Sequence, residues 1–90
     1  MKMFPLGKRA ITQRAMEVLQ QFNISPEAYF ARHQMGDWGD LEDEDRKSNE
    51  VAINLGERIF SAYTIPNGPN IWVITEADRS ATTVLLPDEY

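Results

Sequence analysis

The ninety-residue sequence predicts an α+β fold, with two to three N-terminal helices packed on a three-stranded antiparallel β-meander. Three observations predict it. Apolar residues near the start recur at helical spacing. The last third is rich in β-branched and aromatic residues. Clusters of Pro, Asn, Gly, Asp and Ser cut that last third into separate runs. One domain is expected over 1–90, with 1–10 flexible.

The first helix is expected to start at Thr12, whose hydroxyl can cap free backbone N–H groups. Ala15, Val18, Leu19 and Phe22 then form one apolar stripe, and Asn23 ends the element. Ser25-Pro26-Glu27 is a second start: a cap, a Pro at the first helical position, and an acid facing the positive dipole end. That helix carries Tyr29, Phe30 and His33 and stops before Gly36. Met35 to Asp40 reads as a loop in which two Gly bracket Trp38. Asp40 is expected to cap a third helix whose first turn holds Glu42, Asp43 and Glu44. Val51, Ala52 and Leu55 give that helix a thin apolar face, and Gly56 stops it.

From Arg58 onward the pattern is β. Ile59 to Ile65 is the first strand, closed by the turn Pro66-Asn67-Gly68-Pro69. Ile71 to Thr75 is apolar on both faces and so is expected at the centre of the sheet. After the turn Ala77-Asp78-Arg79-Ser80, Thr82 to Leu86 forms the third strand and Pro87 stops it.

Composition excludes several function classes. No Cys means no disulfide scaffold, zinc ribbon or thiol chemistry, and one His leaves no multi-His metal site. No metal or cofactor is therefore expected. Residues 1–9 are basic but lack an apolar core, so they do not read as a secretory signal. No apolar run reaches the ~20 residues of a membrane span. A cytoplasmic protein is expected. A net charge of −5 disfavours nucleic acid as a partner.

Charge is uneven along the chain. Residues 35–50 hold seven acids, Asp37, Asp40, Glu42, Asp43, Glu44, Asp45 and Glu50, against Arg46 and Lys47. One reading of Glu42–Asp45 is a solvated helix start that complements the dipole. The other is an anionic recognition surface that imitates phosphates and docks on a protein partner, with Asp37, Trp38 and Asp40 beside it. Trp38 is either a plug that pins its loop or an exposed contact. An EF-hand is excluded, because the run lacks alternating ligands and the Gly and Glu at their required positions.

His33 is either a histidine that fastens its surroundings by hydrogen bonds or a general acid or base, since imidazole titrates near neutrality. Ser61 and Tyr63 share one strand face, and Ser61, Thr75 and Thr82 or Thr83 meet across strands in the expected sheet. An enzymatic reading groups His33, Arg58, Ser61, Tyr63, Arg79 and Thr82 as a catalytic set for phosphodiester cleavage, with Arg on the phosphate and His33 or Glu76 moving a proton. A third reading makes the basic front, Lys2, Lys8, Arg9 and Arg14, a DNA contact.

The segments His33-Gln34-Met35-Gly36-Asp37-Trp38-Gly39-Asp40, Gly56 to Tyr63 and Ile71 to Pro87 resemble a family of small bacterial proteins carried by plasmids, integrated elements and phages. The resemblance covers roughly residues 30–90. It implies a mobile-element accessory protein in a bacterial cytoplasm and transfers no particular activity. At the level of element order, the chain is also similar to barnase/RelE-type ribonuclease toxins, although those are usually basic. The leading expectation is an acidic accessory protein that binds a macromolecular partner, in one form inhibiting a nucleic-acid-processing machine. The alternative is a metal-independent ribonuclease.

Overall fold

The structure is a computed structural model that describes residues 2–90. Its elements run β1 (Lys8–Ile11), α1 (Gln13–Gln21), α2 (Pro26–Gln34), α3 (Asp43–Leu55), β2 (Ile59–Thr64), β3 (Asn70–Thr75) and β4 (Ala81–Leu85), then a 3₁₀ turn at Pro87–Glu89. The fold is α+β, but the sheet has four strands in the order β1-β4-β3-β2. The meander β2-β3-β4 is antiparallel throughout. It is extended by β1, which pairs parallel to β4, so the sheet is mixed. Residues 4–11 therefore do not trail free. Phe4 and Leu6 are buried in the core, and Lys8–Ile11 forms an edge of the sheet.

Period two sorts the sheet into faces. Ile59, Ser61, Tyr63, Ile71, Val73, Thr75, Thr82 and Val84 point toward the helices and are all buried. The helices supply Ala15, Leu19, Tyr29 and Phe30 to the same core. Thr12 caps α1 by accepting from the Ala15 N–H, and Ser25 caps α2 by accepting from the Glu27 N–H. β3 is central, as its two apolar faces predict.

The third helix ends at a left-handed Gly56 as expected, but it departs from expectation at its start and along its apolar face. Asp40 does not cap it. The Asp40 N–H bonds the Ala62 carbonyl at 2.7 Å, which ties Asp40 to the edge of β2, and its carboxylate accepts from the Thr64 hydroxyl at 2.6 Å. The helix starts later, with Glu42 at the cap position and no side-chain cap bond. Ala52 is buried as expected, but Val51 and Leu55 are exposed, and the second inward residue is Asn49. The Asn49 amide donates to the Phe60 carbonyl at 2.6 Å and accepts from the Phe60 N–H at 3.1 Å. An unpaired strand edge is thereby satisfied by a helix side chain. No helix among the described residues is long and apolar enough to cross a membrane.

Candidate functional site

His33 projects from the last turn of α2 onto the sheet and is fully buried. Its Nδ1 lies 2.6 Å from the Ser61 hydroxyl on β2, and its Nε2 lies 2.9 Å from the Thr75 hydroxyl on β3. Thr75 meets Thr82 on β4 at 2.7 Å, and Thr82 meets the Leu6 carbonyl at 2.7 Å. The direction of every bond follows from the last one. A carbonyl only accepts, so Thr82 donates to Leu6. Thr75 must then donate to Thr82, and His33 must donate to Thr75 through Nε2–H. Neutral Nδ1 accepts from Ser61. The chain of bonds joins α2, three strands and the N-terminal segment.

This arrangement keeps the imidazole neutral. Burial pushes its pKa from 6.5 down to about 3, because the charged ring would lose its hydration. The ring of Phe4 packs edge-on at 5.3 Å, and that of Trp38 does so at 5.9 Å. The ring has no surface exposed to solvent. His33 therefore fastens the interior, and it fastens the sheet more than the loop that follows it.

The rest of the expected catalytic set splits apart. Ser61, Thr82 and His33 are brought together, but inside the core. Tyr63 is also buried. Its hydroxyl donates to the Asp37 carbonyl at 2.6 Å, and burial pushes its pKa up to about 12. Arg79 is occupied by backbone. Its guanidinium donates to the carbonyls of Glu57 (2.7 Å), Ala52 (2.8 Å), Ala77 (3.0 Å) and Glu76 (3.2 Å). It thus fastens the end of α3 to the β3–β4 turn, with few donors left for a phosphate. Arg58 lies on the opposite face of the sheet, where it donates to the Tyr90 hydroxyl and sits 3.7 Å from the Glu76 carboxylate. His33, Arg58 and Arg79 do not form one cleft.

The expected partner-binding set also divides. Trp38 is buried and stacks on Phe4 at 6.2 Å, so it is the plug and not the contact. Asp37 faces Arg32 across 2.7 Å, and that bond holds its carboxyl below the usual carboxylate range. Its other oxygen accepts from the Gly39 N–H at 3.2 Å, which shapes the loop. Glu42, Asp43, Glu44 and Asp45 are all exposed, and none is ion-paired among the described residues. Of the basic front, Lys2 and Lys8 are exposed and the two arginines are ion-paired. Arg9 pairs with Glu27 at 2.6 Å and Arg14 with Asp88 at 3.1 Å.

Comparison of the chain with family models, curated proteins and solved structures gives no match.

Sequence reasoning missed one surface. On the outer sheet face, Phe60 and Trp72 pack edge-on at 4.8 Å, and the 3₁₀ turn brings Tyr90 to 5.9 Å from Trp72. With Arg58 and Ile74 they line a hollow of about 250 Å³. The signal was present in the alternation of β2 and β3. Phe60, Trp72 and Ile74 all fall on the face opposite Ser61 and Thr75.

Proposed function

We propose that this chain is a non-catalytic accessory protein that binds a macromolecular partner. Its acidic contact would be the exposed first turn of α3, Glu42 to Asp45. The observation that carries the reading is that these four carboxylates face solvent unpaired, while the other candidate groups are spent on the fold. Four carboxylates in one turn repel each other, and a cationic partner surface relieves that repulsion. A nucleic-acid-processing protein offers such a surface in its binding cleft. The resemblance over roughly residues 30–90 adds the context of a bacterial mobile element and a cytoplasmic setting.

The ribonuclease reading is not favoured, because proton transfer needs an imidazole within reach of substrate and near its working pKa. The test has two arms. Immobilised wild-type protein and the variant E42K/D43K/E44K/D45K are exposed to bacterial lysate, and captured proteins are identified. A basic protein held by the wild type and released by the variant is expected, with both proteins folded by circular dichroism. Equal capture overturns the acidic contact. In the second arm, RNA is incubated with the protein in chelator. Cleavage by the wild type that fails in His33→Ala overturns the non-catalytic reading.

A further inference from the structure

The two edges of the sheet are finished differently. On β2 the outward groups of Phe60 are taken by the Asn49 amide. Ala62 accepts from the Asp40 N–H at 2.7 Å and donates to the Trp38 carbonyl at 3.2 Å. On β1 the ladder uses alternate residues. The Lys8 N–H donates to the Ser80 carbonyl at 2.9 Å and the Thr12 N–H to the Val84 carbonyl at 3.0 Å, so Lys8, Ala10 and Thr12 face β4. Arg9 and Ile11 therefore turn their N–H and C=O groups outward, and no backbone group among the described residues bonds them. The helices pack over β2, β3 and β4, which leaves Arg9 exposed and Ile11 half-buried. Such an edge is a template for another strand.

Register chooses the strand. Two copies of β1 laid antiparallel are related by a two-fold axis at Arg9, Ala10 or Ile11. An axis at Arg9 sets two like charges opposite each other and leaves Ile11 facing Gly7, outside the strand. An axis at Ile11 sets Arg9 against Gln13, which is already helical. An axis at Ala10 sets Arg9 against Ile11 of the second copy, twice over, and every outward N–H finds an outward carbonyl. The side chains that approach most closely on that axis are two alanines. Lys8, of the type that usually guards an exposed edge, faces Thr12 of the second copy and not its own counterpart. The Arg9 charge is met by Glu27 at 2.6 Å, so its stem is free to lie along Ile11 of the second copy. We propose that β1 is a self-pairing edge, on which a second copy of this chain docks antiparallel about Ala10 and joins two four-stranded sheets into one.

Long-range charge does not oppose this pairing. α3 packs on β2, so the acidic turn Glu42–Asp45 sits at the far edge of the sheet. In the pair the two acidic turns stand ~30 Å apart across the widened sheet, well beyond a Debye length of ~8 Å. Both turns stay exposed, and the pairing does not depend on what they bind. Four residues per strand make a small contact of the transient kind, so association depends on concentration.

Sedimentation equilibrium and amide hydrogen exchange of the ¹⁵N-labelled full chain, each at ~20 μM and ~1 mM, test the edge. The mass should rise toward that of a dimer at the higher concentration. The Arg9 and Ile11 amides should then exchange at least ~3-fold more slowly than in dilute protein. The Ala10 amide, bonded to β4 in either state, should show no such change. Arg9→Pro removes one outward N–H without touching the ladder to β4, so it should stay monomeric at ~1 mM. Arg9→Ala keeps that N–H and should still pair. If Arg9→Pro fails to fold, the wild-type exchange pattern decides alone. A monomeric mass at ~1 mM, a dimer whose Arg9 and Ile11 amides are unchanged, or equal self-association of the Pro and Ala variants overturns the proposal. Protection of both amides in dilute protein by acetyl-Asp-Val-Asp-Val-amide, with no self-association, would give the edge to a foreign acidic strand and overturn it too.

Discussion

The His33 Nε2 and the Thr75 hydroxyl, 42 residues apart, meet at 2.9 Å in the centre of the molecule, and this bond sets the proton position on the ring. Because Thr75 must donate onward to Thr82, it can only accept from His33. One hydrogen-bond chain thereby links the C-terminal turn of α2 to β3, β4 and the N-terminal segment. Every buried side-chain nitrogen or oxygen among the described residues has a partner. A fully satisfied network of this kind specifies one packing of helix on sheet.

His33→Ala should destabilise the protein by about 3 kcal/mol or more, since it opens a cavity, removes the acceptor of the buried Ser61 hydroxyl and takes one bond from Thr75. Urea denaturation monitored by circular dichroism measures this. Thr83→Val, on the neighbouring but outward-facing position, is the control and should cost less than about 1 kcal/mol. Similar losses for the two variants would mean that the network contributes little.

Acid should weaken the fold through His33. The folded ring has a pKa near 3, against 6.5 for the ordinary side chain. Between those values the unfolded chain binds a proton that the folded chain refuses. The contribution is complete above about 6.5 and is lost as pH falls toward about 3. The His33 ring proton signals should stay still between about pH 8 and about pH 4. The stability gap between wild type and His33→Gln should narrow over the acid half of that range. A mid-range titration of the ring would show that it is accessible.

Arg79 occupies a left-handed backbone conformation, with φ of +62°, which costs energy for any side chain but Gly. It is held there by its four carbonyl contacts. Arg79→Ala should destabilise by about 2–3 kcal/mol, and Arg79→Gly by about 1 kcal/mol less, since Gly relieves the backbone. Hydrogen exchange should rise most at the last turn of α3, where Ala52 loses its guanidinium partner. Equal stability of the Ala and Gly variants would argue against backbone strain.

Gly39→Ala should cost more than about 2 kcal/mol. Gly39 has φ of +74° and pairs with Ala62 as an isolated parallel bridge. A Cβ there would run into the Ala62 carbonyl oxygen and press on the Tyr63 ring at 2.6 Å. By contrast Gly56, also left-handed, has open space around it, so Gly56→Asn should be mild. Thermal melts of the two variants provide the comparison.

Much of this was legible in the residues alone. Helical spacing marked α1, the Ser-Pro-Glu start marked α2, and alternation with turn residues marked the three meander strands. These signals are local, since a residue's neighbours at two, three or four places determine which face it lines. The pairing of Thr75 with Thr82 was also within reach, because strand register follows from the turns, whereas Ser61 faces Val73 and joins them only through His33. What lay beyond local pattern was decided by contacts between distant segments. Lys8–Ile11 has two cations and no alternation, and it becomes a strand only because β4 offers an edge about 73 residues away. Asp40 is a good cap by composition, but β2 claims its backbone first. Arg58 and Arg79 look alike in sequence. One reaches carbonyls at the end of α3 and the other an aromatic ring on the outer face, because the turn between β3 and β4 and the sheet itself separate them. His33 carries the same ordinary acid–base chemistry in any sequence. Only the packing of Phe4 and Trp38 over it removes water and turns a candidate catalyst into a structural bond.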